Sequence, residues 1–376
     1  MNVTIVPVRT RSEKKRFIDL EWTINKNTPN WVSPLRIERE KILNTQKHPF
    51  YQHSEIELFL AYENDQLSGR IAAITNQNHN DFQKDNAGFW GFFECVNKRE
   101  VADALFQAAA DWLKGKGKDL MYGPMNPSTN DEVGLLIDGF DTPPYMLMTH
   151  NPPYYEKLVT AFGMTKARDL YAWFITIDKA NANITEKMRR VSEKILKKYR
   201  INIRNLKLRY LKQEIRLVKE IYNNAWSQNW GFVPMTDAEI NLLADDLKNI
   251  ADEEMLLIAE KDGRPIAFSL TLPNINEVLQ KIPDGRLFPT GIFKLLFGLK
   301  KINYVRVLVL GVVKEYQFLG LGSIFYIESI LRAKKRGYLG GEMSWILEDN
   351  HAMIRPLEDI GSEKYKTYRV YRYPLN

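Results

Sequence analysis

Residues 305–322 read VRVLVLGVVKEYQFLGLG, and this stretch decides how the rest of the chain is organised. Val305, Val307, Leu308, Val309, Leu310, Val312 and Val313 are β-branched or aliphatic, the composition of a strand covered on both faces. Lys314 and Glu315 end it. Gln317, Gly320 and Gly322 then set the spacing QxxGxG, and residues 323–336 follow with Ile324, Ile327, Ile330 and Leu331 at helical intervals until Gly337. A strand, a glycine-bearing turn and a helix in that order gather unpaired N–H groups and the positive end of a helix dipole around one point. The glycines either shape a tight turn or let the backbone approach a bulky anion such as a diphosphate.

The surroundings favour the anion. Residues 342–346 read as another strand, SWILEDN brings Asn350 to the mouth of a further helix that closes at Gly361, and 364–375 (KYKTYRVYRYPL) alternates as a final strand. Strand, QxxGxG, helix, strand, Asn, helix, Gly, strand resembles motifs A and B of the GNAT superfamily of acyl-CoA-dependent N-acyltransferases. The resemblance implies that backbone amides of Gln317, Phe318, Leu319, Gly320, Leu321 and Gly322 hold the coenzyme A pyrophosphate, with Ser323 and Asn350 beside it. It also implies that pantetheine pairs along Leu310, Val312 and Val313.

At 376 residues the chain is long for one domain and comfortable for two. With 53 Lys and Arg against 46 Asp and Glu, the formal charge of +7 either solvates a basic surface or favours anionic partners such as coenzyme phosphates, acidic headgroups or nucleic acid. The single Cys95 excludes an intramolecular disulfide framework, and the five scattered histidines show no metal-ligand spacing. The N-terminus lacks a long apolar run, so a cytoplasmic location is expected.

Two halves of the chain resemble each other. LFLAYENDQLSGRIAAIT at 58–75 resembles LLIAEKDGRPIAFSLTL at 256–272, with Ala61 and Ala259 198 positions apart. Asn151 stands 199 positions before Asn350, Gly163 198 before Gly361 and Gly117 220 before Gly337; insertions at 124–144 and 273–303 account for the changes of offset. The expected fold class is therefore α/β (α+β): two tandem GNAT-like folds, each a mixed twisted sheet flanked by helices, over residues 1–178 and 179–376 and joined near 179–183. In the first copy Glu100, Ala102 and Asn97 stand where the second has Gly320, Gly322 and Gln317. A carboxylate there repels a diphosphate, so the first coenzyme site is read as degenerate. Residues 76–86 read as a polar loop.

Acyl transfer to an amine needs a neutral amine, a polarised thioester and a tolerated thiolate. On the strand GEMSWI, Glu342 and Ser344 share a face, which makes Glu342 a candidate base; Glu348 lies near the same centre, and Asp349 reads as a helix cap. Many GNAT enzymes carry a tyrosine seven residues after the Asn, but Leu357 stands there, leaving Tyr365 or Tyr368 as substitutes. Resemblance places Trp226, Asn229, Trp230 and Phe232 of NNAWSQNWGFVPMT in a wall of the acceptor site; the alternative is that the rings plug a core edge. The apolar run 287–299, with Lys294, Lys300 and Lys301, either packs on the sheet or forms an acyl-chain wall or membrane-touching edge.

KLLFGLKKINYVRVLVLGV followed by EMSWILEDN is similar to a branch of tandem GNAT proteins that includes the bacterial ceramide synthases. That resemblance implies an acyl-CoA co-substrate, acetyl or longer, no metal, and transfer to a small-molecule or lipid amine such as a sphingoid base. Contact with an anionic membrane at its inner face would suit this reading, and nucleic acid is disfavoured. The alternatives are a Fem-type peptidyltransferase using aminoacyl-tRNA, and an acyl-CoA-binding protein without activity.

Overall fold

The computed structural model describes residues 2–375. They form two compact units, the first comprising residues 2–170, 279–295 and 366–375, the second residues 171–278 and 296–365. This partition differs from a single cut after residue 178. The strand Thr165–Thr176 contributes its last residues to the second unit, and the closing strand Glu363–Pro374 gives most of its length to the first. Residues 179–183, expected to join the copies, lie in a helix, Ile177–Asn183, capped by the Thr176 side chain on the Lys179 N–H.

The first unit orders its sheet Val3–Pro7, Ser54–Glu63, Gln66–Asn76, Ala87–Cys95, Leu120–Gly123 and then the closing strand. Only Ala87–Cys95 and Leu120–Gly123 run parallel. Their crossover helix, Arg99–Gly115, buries Val101, Ala102, Leu105, Phe106, Ala109 and Leu113 on the sheet. Residues 76–86 are not a loop: Asn76 accepts from the His79 N–H and starts a helix, Gln77–Gln83, and Asn80 pairs both backbone groups of Ala87. The polar residues that suggested a loop are capping and docking groups.

The opposite face of this sheet carries buried charge. Arg70, 2% exposed, donates to Glu21 at 3.0 Å and lies 3.7 Å from Glu94, while Arg39 bridges Glu21 and Glu132. Burial and the nearby Glu21 charge push the Glu94 carboxyl up to about 7, against the pull of Arg70. A carboxyl whose folded pKa exceeds its unfolded value holds an extra proton in the folded state, so its stabilisation is complete at low pH and is lost as pH rises through 7. We expect the wild type to lose thermal stability between pH 5 and 8, and Glu94→Gln to flatten that dependence in thermal melts.

The second unit repeats the plan with Ile201–Asn205, Leu256–Lys261, Arg264–Pro273, Tyr304–Val312 and Gly340–Leu347. Again only the last pair is parallel, and its crossover is the helix Leu321–Arg336. The copies share a local defect as well. The ladder slips after Ala61 in the first unit and after Ala259 in the second, the same matched position. A helix covers each sheet face of this unit: Leu321–Arg336 on the side of Leu310, and Leu211–Ala225 with Asp237–Leu247 on the side of Val309.

In the insertion 273–303 the sequence leaves two readings for the apolar run 287–299, packing on the sheet or forming an acyl-chain wall or membrane-touching edge. Its helix is short, Gly291–Gly298, and it leaves Phe293, Leu296 and Phe297 exposed, with Phe288 ahead of it also exposed. These rings do not pack on a sheet.

Candidate active site

The strand Tyr304–Val312 ends one residue earlier than expected, and Val313 caps a short 3₁₀ turn, Lys314–Leu319. Gly320 follows with φ of +68°, and the helix Leu321–Arg336 begins immediately after it without a side-chain cap. The left-handed conformation suits only glycine comfortably, and an uncapped helix start leaves its first N–H groups for another acceptor. A Cβ at Gly320 would meet nothing within 4 Å, so the turn faces open space. At Gly322 a Cβ would touch Leu310 and Met353 at an ordinary 3.9 Å. The protein itself therefore does not demand glycine at 322.

Residues expected to form the pyrophosphate cradle, the turn 317–322 and the start of its helix, divide into backbone and side-chain roles. Leu319 and Leu321 bury their side chains, leaving only backbone at the turn. Phe318 is 75% exposed, its ring edge-on to Tyr199 at 6.4 Å. Gln317 turns its amide onto the Val312 carbonyl at 3.2 Å, and the Val313 N–H donates to Ile266. The end of the strand is thus engaged by its own turn at Val312 and by the neighbouring strand at Val313, two of the residues expected along the pantetheine. In the first unit the corresponding helix starts at Arg99, so Glu100 and Ala102 sit inside its first turn and no left-handed glycine precedes it.

Parallel pairing between Tyr304–Val312 and Gly340–Leu347 covers only Tyr304 to Val307 against Gly340 to Met343. Beyond that the two strands part, one running on to Val312 and the other to Leu347. Where they part lies a buried polar cluster. Arg306 is the register partner of Glu342, and both are at most 1% exposed. Ser344 donates to Glu342 at 2.5 Å and accepts from Arg306 Nε at 2.9 Å, Arg306 Nε stands 3.7 Å from Glu342, and its guanidinium lies 5.2 Å from the centre of the Trp345 ring. The Tyr365 hydroxyl donates to the other oxygen of Glu342. Tyr365 is partly exposed and packs beside Phe174, so it is the member of the cluster that reaches outward.

Glu342, Ser344 and Tyr365 are therefore brought together, and Tyr368 is not. Tyr368 lies in the first unit, wholly buried and paired with Leu136. Three residues along a strand from Tyr365, it points to the other face. Asp349 is not the helix cap: the helix His351–Asp359 is capped at Asn350, which makes no side-chain cap bond, and Asp349 is exposed. Glu348 is partly exposed at the end of its strand. Leu357, where the resemblance leads one to expect a tyrosine, is fully buried. Arg306 was missed by sequence reading, although a lone charge inside an apolar strand signalled it.

Trp226 serves packing. Its ring lies over Gly311, where a Cβ would come within 2.4 Å, and meets Phe268 and Tyr222. Phe232 is buried against Tyr222 at 5.3 Å, and Asn229 and Trp230 are partly buried between them in sequence. Beside this plug, between the two helices and the sheet, is an apolar cavity of about 120 Å³ lined by Val218, Tyr222, Leu243, Leu247, Phe268 and Val309, among others.

No family model matches the chain. It is 37% identical to a bacterial ceramide synthase of Caulobacter vibrioides (strain NA1000 / CB15N), over an alignment covering 100% of this chain and 98% of that protein. It is 36% identical to protein YghO of Escherichia coli (strain K12), covering 96% and 93% respectively. Among solved structures it resembles a tandem GNAT protein from the clavulanic acid biosynthesis pathway, with a TM-score of 0.57, 11% identity and coverage of 100% and 99%. It also resembles a GCN5-related N-acetyltransferase from Sphaerobacter thermophilus, with a TM-score of 0.51, 11% identity and coverage of 100% and 96%.

Proposed function

Because the chain belongs to the tandem-GNAT acyltransferase family of the bacterial ceramide synthase, we propose that its second unit transfers a fatty acyl group from acyl-CoA to the amine of a lipid. The observation that carries this reading is the joint placement of an open glycine turn, a strand freed from its parallel neighbour, and a Tyr365–Glu342–Arg306 cluster where the strands part.

In this reading the first N–H groups of the helix Leu321–Arg336 hold the pyrophosphate of the acyl-CoA substrate. Its pantetheine runs along residues 308–311. Tyr365 accepts a proton from the incoming ammonium while passing its own to Glu342, and Arg306 and Ser344 position that carboxylate. The neutral nitrogen attacks the thioester carbonyl, the C–N bond forms and the C–S bond breaks, and the second nitrogen proton goes to the departing thiolate. No enzyme thiol takes part. Cys95 lies in the other unit, buried, its thiol pushed up by desolvation and by Glu94. The first unit, whose corresponding helix starts through the positions of the turn, acts as support.

A lipid acceptor is supported by the 37% identity to a protein named for ceramide synthesis and by the exposed Phe288, Phe293, Leu296 and Phe297 with Lys294, Lys300 and Lys301 close by in sequence. Such a surface suits peripheral contact with anionic headgroups. No helix among the described residues is long and apolar enough to cross a membrane. The test is amide formation from palmitoyl-CoA with a sphingoid base, a short alkylamine or a lysine peptide, the lipid amine presented in neutral or anionic vesicles. The expected result is at least a tenfold preference for the sphingoid base, faster on anionic vesicles. Equal or better use of the peptide overturns the lipid reading.

A further inference from the structure

We propose that the apolar pocket between the helices Leu211–Ala225 and Asp237–Leu247 and the sheet is the chamber that receives the first carbons of the hydrocarbon chain of the acyl donor. This inference rests on the acyltransferase reading above and assigns the chain a place that reading leaves open. Its walls are mostly aliphatic, with Val218, Leu243, Leu247, Phe268 and Val309 among them and Tyr222 beside them. Three charged side chains line it as well: Lys248 bonds Asp245 at 2.7 Å, Lys207 stands 3.8 Å from Glu253, and Glu214 accepts from Arg204 at 2.7 Å while its other oxygen is buried without a hydrogen bond. Apolar surface of this kind favours an apolar ligand over water.

The strand Tyr304–Val312 connects the chamber to the cradle. Successive side chains on a strand point to opposite faces. Leu310 points towards the cradle helix, within 3.9 Å of a Cβ built on Gly322, while its neighbour Val309 lines the chamber. Both lie past Val307, where pairing to the neighbouring parallel strand has stopped. A thioester carried along this run therefore stands where the sheet is no longer closed by that neighbour and a chain can pass from the cradle face to the chamber face. Trp226, packed on Gly311 and Phe268, closes the end nearest the turn, so the chain is directed away from it along Val309 and towards Leu243 and Leu247.

The experiment fills the chamber with Leu243→Trp and, separately, Ala244→Leu, and measures kcat/KM for acetyl-, octanoyl- and palmitoyl-CoA with one short amine. Binding of palmitoyl-CoA and of free coenzyme A is followed by calorimetry in the same variants, and thermal melts check folding. The proposal expects kcat/KM and affinity for palmitoyl-CoA to fall at least tenfold, with acetyl-CoA and coenzyme A changed less than twofold. An equal loss for all donors overturns it. So does a selective loss for a sphingoid base over the short amine when acetyl-CoA is the donor, measured in the same variants, which would give the chamber to the acceptor. If no transfer occurs with any donor yet palmitoyl-CoA affinity alone falls, the acyltransferase reading fails and the chamber stands.

Discussion

Gly320→Glu is expected to abolish acyl-CoA binding, lowering affinity by about a hundredfold or more. Gly320 holds φ of +68°, where a side chain costs about 1–2 kcal/mol, and the new carboxylate would stand beside the bound diphosphate. The strain weighs on the free and the bound protein alike and shows in the melt; the loss of affinity comes from charge repulsion and blocked approach, and a hundredfold corresponds to about 2.8 kcal/mol. The substitution copies Glu100, the residue found at the matched position of the first unit. Gly322→Ala separates strain from ligand approach. That site has room for a Cβ, so the unliganded melt should not move, and any loss of affinity reports the ligand's need for bare backbone. Calorimetric titration of both variants with palmitoyl-CoA measures this, and wild-type affinity in Gly320→Glu would remove the turn from the site.

Tyr365→Phe is expected to lower kcat by about 10²–10⁴ while leaving acyl-CoA affinity within twofold. The substitution deletes only the hydroxyl that links Glu342 to the partly exposed end of the cluster. Arg306, Ser344 and Glu342 keep their mutual bonds, so folding is retained. Glu342→Gln behaves differently. It leaves Arg306, 1% exposed, facing a neutral group, and losing one partner of a buried pair costs about 3–5 kcal/mol. A drop in melting temperature for Glu342→Gln but not for Tyr365→Phe separates the structural part of the buried ion pair from the proton transfer that both residues serve, which the kcat of the two variants reports. A tyrosine variant with full kcat would move the proton transfer elsewhere.

How much of this was legible in the sequence follows from which signals are local. The apolar run, the glycine spacing and the helical period after it are local, so turn and helix were found to within a residue or two. The duplication was legible because matched residues kept constant offsets, and the shared slip after Ala61 and Ala259 agrees with it. The cluster at the parting strands was half legible. Period-2 alternation put Glu342 and Ser344 on one face, but which tyrosine met them depended on how the closing strand divides, and Tyr368 fell in the other unit. Arg306 went unassigned because its partner lies 36 positions away, on a parallel strand whose register no local pattern fixes. The apolar run 287–299 stayed open between core and outward-facing edge, because composition alone does not tell a buried apolar run from one that faces outward.

Release of free thiol from palmitoyl-CoA, followed with and without a sphingoid base, tests the central claim most directly. The account predicts thiol release only when the amine is present, in step with amide formation, and lost in Tyr365→Phe. Binding of the coenzyme with no amine-dependent release, or release at the same rate without amine, would contradict it.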